Sequence, residues 1–152
     1  MAKTTQLTVK TDVGTFTRKT VRTYSHIVVV QGERKEVLER RRLADIATDR
    51  KNAARYDRIA AEGFDPTDRH PSHVASTARM IADGSLVKWA QEARDRADAL
   101  DAAGPITADD SAPAGVLGWT GRLDLALKLA GTEQALNYRH VRIYAVDGTQ
   151  VR

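Results

Sequence analysis

The chain of 152 residues contains no cysteine. Disulfides, thiolate metal sites and a cysteine nucleophile are therefore excluded, and the composition suits a reducing compartment such as the cytoplasm. Aromatic residues make up only 5%, so a core has to rely on Ala, Leu, Val and Ile. No apolar run approaches the ~20 residues that a membrane span needs. The opening MAKTTQLTVKTD places no apolar segment after its first lysine, which argues against a secretory signal. There is no Walker loop, no G-x-G-x-x-G and no G-x-S-x-G. Asp109 and Asp110 are adjacent carboxylates in one loop, whereas acid/base pairs normally converge from separate elements. The chain therefore reads as non-enzymatic, with no cofactor implied.

Charge is what the chain does have. The net charge is +4, but it is uneven: residues 1–62 hold 14 Lys/Arg and 8 Asp/Glu, and residues 63–152 hold 10 and 12. Such asymmetry points to one basic surface, and nucleic acid is the commonest polyanion to meet it. The plain alternative is that the excess only keeps a small protein soluble. Arg outnumbers Lys by 17 to 7, which hints at a GC-rich bacterium or its phage.

By length the chain is a single domain, 1–152. TQLTVK (5–10) alternates polar and apolar as a strand does, and Thr11–Gly14 is a turn candidate. A second strand follows over Thr15–Val30, so 5–30 is expected to form a projecting β-hairpin arm. Sixteen extended residues would reach roughly 53 Å, long enough that a bend near Thr20–Thr23 is expected. Glu33–Glu62 lacks Pro and Gly and reads as a long helix ended by Gly63. The stretch 64–73 is loop-like, Val74–Asp83 and Leu86–Ala102 fit helices, and 104–118 reads as a flexible connector. Leu123–Ala130 forms a short helix ended by Gly131, and Tyr138–Val146 a strand. The order predicts an α+β fold. Its antiparallel sheet combines the N-terminal hairpin and the C-terminal strand and packs on long helices.

Read with period two, TFTRKTVRTYSHIVVV puts Phe16, Arg18, Arg22, Tyr24 and His26 on one face. Rings interleaved with guanidinium groups suit base stacking and phosphate contact. The same residues also serve a solvated hairpin that pairs across its strands. Arg41 and Arg42 of the Arg40–Arg42 triplet extend the basic surface onto the first helix. At ~100° per residue, though, the triplet fans round the axis rather than forming a flat patch. His70 and His73, with Asp65 and Asp68 nearby, carry metal-ligand types, but no further ligand stands at a diagnostic spacing. The glycine-rich GVLGWTG before a helix reads as a close approach that seats Trp119 in the core.

The expected function is nucleic-acid binding by the Phe16–His26 strand face. The alternative is a structural or interaction subunit of a larger assembly, such as a phage virion component, or a small inhibitor of a host protein. The expected partners are a polyanion or further protein copies, with no membrane. The expected location is a bacterial cytoplasm or a virion.

Overall fold

The computed structural model describes residues 4–68 and 70–152. Its elements run β1 (Thr5–Thr11), β2 (Gly14–Thr20), β3 (His26–Glu33), α1 (Lys35–Glu62), α2 (Pro71–Ala82), α3 (Ser85–Ala102), β4 (Gly115–Thr120), α4 (Leu123–Ala130), α5 (Glu133–Leu136) and β5 (Tyr138–Ala145). The class is α+β, and every strand pairing is antiparallel. The chain gathers into two compact units, Met1–Leu38 with Thr107–Arg152, and Glu39–Ile106.

The first unit holds all the strands. β1 and β2 form a two-stranded sheet with Thr5 opposite Thr20 and Val9 opposite Phe16. A second sheet has the order β4-β3-β5. The C-terminal strand thus joins β3, the last part of the expected Thr15–Val30 strand, while the first part pairs with β1 in a separate sheet. The expected bend is a full break over 21–25, where ladder pairing stops and Val21 is exposed. β4 occupies the end of the expected 104–118 connector. Its two glycines masked a strand, and one of them has a packing role. A β-carbon on Gly118 would stand 2.5 Å from Leu129 Cδ2, so its absence lets α4 lie close to the sheet.

Alternation then sorts the apolar residues onto two faces of β3. Ile27 and Val29, with Tyr144, form a buried cluster with Val9, and Leu7, Phe16 and Trp119 pack against it. Val28 and Ile143 bury against Ala126, with Leu129 and Ala130 alongside. The hairpin therefore covers one face of the three-stranded sheet and α4 covers the other.

The second unit is helical. α1 runs 28 residues without Pro or Gly and stops at Gly63, whose φ of 80° is costly for other residues. Pro71 occupies the first turn of α2, where its missing N–H costs nothing. Gly84, at φ 77°, separates α2 from α3. The buried apolar side chains are Ile46, Ala53 and Ile59 from α1, and Leu86, Ala90, Ala93 and Ala97 from α3, so four of the seven are alanine. Partner positions fall along α3 as they rise along α1. Arg42 reaches the Leu100 carbonyl at 2.9 Å, Asp49 meets Arg96 at 2.8 Å and Asp57 meets Arg94. The two helices therefore run antiparallel, tied by charge along their length.

Candidate nucleic-acid interface

The break after β2 decides where the strand-face residues go. Phe16 and Arg18 lie on the hairpin face that carries Leu7 and Val9, because Val9 pairs with Phe16 and Leu7 with Arg18. That is the face turned to the core. Phe16 is half-buried there and offers no open platform for a base. His26 belongs to the other sheet, in register with Thr120 and Ala145, and its Nδ1 lies 2.7 Å from Ser25 Oγ. The five residues expected on one surface therefore do not share one. A period-two reading needs an unbroken strand, and the turn at 21–25 resets the phase.

One part of the expected constellation does assemble. The Arg18 guanidinium lies 5.0 Å above the Tyr24 ring, a cation–π contact. Tyr24 in turn leans on Trp119, with centroids 6.0 Å apart and planes at 52°. Arg18 and Arg22 are exposed and Tyr24 is half-buried. Arg22 N–H donates to Thr20 Oγ1 at 2.8 Å, which shapes the turn. Trp119 was legible only as a core residue, since its role as backing for Tyr24 depends on β3–β4 pairing.

The opposite face of the hairpin is what the strand reading passed over. Gln6 pairs with Lys19, Thr8 with Thr17 and Lys10 with Thr15, and all six side chains are exposed. This face carries two ammonium groups and no carboxylate. Asp12, at the hairpin turn, is engaged elsewhere, accepting a 2.5 Å hydrogen bond from the buried Tyr144 hydroxyl. The signal for this face was present in the alternation itself: Leu7, Val9 and Phe16 claim one side, so Lys10 and Lys19 fall on the other.

The helix arginines are differently placed. Arg42 is almost fully buried. Its Nε and Nη2 hold both oxygens of Glu39 at 2.9 and 2.8 Å, so it is spent on structure and does not reach a phosphate. The Arg42 hydrogen bond, with the Ile106 N–H at 2.8 Å, holds the Glu39 carboxyl down at about 2. Arg41 is exposed on α1. Arg50, Arg55 and Arg58 pair with Asp101, Asp65 and Glu62. Charge counts agree with this pairing. Glu39–Ile106 holds 12 Lys/Arg and 12 Asp/Glu, whereas the strand-bearing unit holds 12 and 8, the whole +4.

The His70 and His73 rings lie 5.1 Å apart, tilted at 46°. His73 Nδ1 meets Asp68 at 2.7 Å and His70 Nδ1 meets Ser72 Oγ at 2.7 Å. Asp65 is occupied by Thr67 and Arg55, whose hydrogen bonds hold its carboxyl at about 2. Among the described residues no group of three or more His, Asp or Glu is placed to hold a metal ion. No helix among them is long and apolar enough to cross a membrane. No family model, curated protein or solved structure matches the chain.

Proposed function

We propose that the chain is a small, non-enzymatic nucleic-acid-binding protein whose hairpin β1–β2 meets the phosphate backbone. One observation carries this reading. Residues 1–30 contain five Lys/Arg and one Asp/Glu, a net charge equal to that of the entire chain. Within them, the hairpin β1–β2 has an exposed Lys/Thr face without carboxylates. Lys10 and Lys19 supply point charges to phosphates, and the threonines donate neutral hydrogen bonds. Arg18, over the Tyr24 ring, and the exposed Arg22 add positive charge beside it. Readout of this kind is independent of base sequence and strongly dependent on salt.

Fluorescence anisotropy with a labelled single strand and a labelled duplex, from 50 to 200 mM salt, tests it. The affinity is expected to fall by about tenfold or more over that range, as release of several counterions requires. Lys10→Glu with Lys19→Glu is expected to weaken binding by at least about tenfold and to flatten the salt slope. No binding at low salt, or a salt-independent affinity, overturns the reading.

A second reading, as a subunit of a larger assembly, is favoured by a different surface. Leu123 and Leu127, one turn apart on α4, are both more than a third exposed, as is Leu136 of α5, and partners commonly cover apolar surface of this kind. Light scattering of the protein without nucleic acid separates the two: a stable multiple of the chain mass supports assembly. Either reading suits a cytoplasmic protein or a virion component.

A further inference from the structure

The strand-bearing unit contains a cleft of about 600 Å³ that the hairpin reading does not use. Its floor continues the sheet face on which the hairpin sits. Along β3 and β5 that face runs from Ile27 and Tyr144, through Val29 and Arg142, to Gln31 and His140. The apolar end lies under the hairpin and the polar end is left open. Lys35 and the loop 107–112 form the walls. Gly32, at φ 71°, keeps the space clear: a β-carbon there would lie 3.6 to 3.9 Å from the Asp110 carbonyl, Arg139 Cβ and the His140 ring.

The lining carries three cations, Lys35, Arg139 and Arg142, against two carboxylates, Asp109 and Asp110. Each carboxylate takes a backbone N–H of the wall. Asp109 accepts from the Lys35 N–H at 2.8 Å and contacts Arg139 Nη1 at 3.1 Å, which binds the loop to the start of α1. Asp110 accepts from Ala112 N–H at 3.0 Å, and its own N–H donates to the Glu33 carbonyl. Arg142 hydrogen-bonds a neutral partner, Gln31 Oε1, at 3.3 Å. An arginine fork, a lysine ammonium and an imidazole thus line one space.

We propose that this cleft binds the phosphate of a phosphomonoester of nucleotide size, with Arg142 and Lys35 on its oxygens and His140 beside them. A lone carboxylate would use one such cation. A phosphate presents three peripheral oxygens and up to two charges, which matches the set. The volume lies within the range of small-ligand sites and exceeds what inorganic phosphate fills.

Isothermal titration calorimetry with adenosine 5′-monophosphate and with adenosine tests this on the full chain. The monophosphate is expected to bind, and adenosine to bind at least about tenfold more weakly. Arg142→Gln is expected to lose about tenfold, checked for folding by circular dichroism, and the exposed Lys35→Gln about fivefold. Lys10→Glu with Lys19→Glu should leave the affinity within about twofold, because those residues lie outside the cleft. A 5′-phosphorylated oligonucleotide that outcompetes the monophosphate assigns the phosphate to a nucleic-acid end. Weaker competition assigns it to a free metabolite. The proposal fails if the monophosphate gives no binding at millimolar concentration, if adenosine binds equally well, or if both cleft variants keep the wild-type affinity. Loss of hairpin binding alone leaves these outcomes untouched.

Discussion

The two units carry equal numbers of basic residues and use them in opposite ways. In Glu39–Ile106 each of several arginines finds an acid: Arg42 with Glu39, Arg94 with Asp57, Arg96 with Asp49. The result is a neutral helical unit despite its arginine-rich sequence. In the strand-bearing unit the hairpin lysines face solvent on a surface without acids. A triplet such as Arg40–Arg42 is the more conspicuous basic motif, yet one of its members is buried in a structural pair. Pairing, not count, decides whether a basic residue is available to a polyanion.

The cores differ as well, and this gives the largest expected effects. Ile27 is wholly buried between strands and hairpin. Ile27→Ala should cost about 2–5 kcal/mol in urea unfolding, as truncation in a packed core does. The helical unit buries alanines, so its weakness is enlargement: Ala93→Leu should cost about 1–3 kcal/mol. Equal tolerance of both changes would remove the contrast.

Acid should weaken both units, since Asp109 and Asp147 of the strand-bearing unit are also held below their ordinary values, but the carboxyls held lowest lie in the helical unit and the raised Tyr144 lies in the other. Glu39 and Asp65, held at about 2 in the folded helical unit, favour folding above their ordinary values near 4. That contribution is lost as pH falls from there toward 2. Tyr144 is the reverse case. Burial, and then its hydrogen bond to Asp12, push its hydroxyl up to about 12. Its contribution is complete below pH 10 and is lost as pH rises from 10 toward 12. Each unit holds one of the two tryptophans, Trp89 or Trp119. Trp89→Phe and Trp119→Phe therefore make each unit's fluorescence readable alone. Coincident transitions at both extremes would break the comparison.

Smaller effects sharpen it. Tyr144→Phe should cost about 1 kcal/mol by removing a partly exposed hydrogen bond to a carboxylate, and should abolish the alkaline step. Arg58→Ala, which breaks an exposed i,i+4 pair with Glu62, should leave the melting temperature unchanged within error.

Much of this architecture was legible because local rules governed it. The long helix, its stop at Gly63, the Gly84 boundary, the 123–130 helix and the last strand all follow from periodicity and glycine placement. Trp119 does pack against the core. What could not be read depended on partners distant in sequence. GVLGWT looks like a connector until β3 supplies its ladder. Arg42 looks like surface until Glu39 and the Leu100 carbonyl enclose it. The strand face failed for a local reason: Val21–Ser25 contains no glycine or proline, so nothing in those five residues announces a break.

The two-stranded sheet has a consequence for solubility. Among the described residues β1 and β2 pair only with each other, so the ribbon keeps backbone donors and acceptors without ladder partners. Such margins invite neighbouring molecules to add strands and grow into aggregates. Lys10 and Lys19 oppose that stacking through like-charge repulsion and hydration. They thus act as guards against edge-to-edge association of the ribbon.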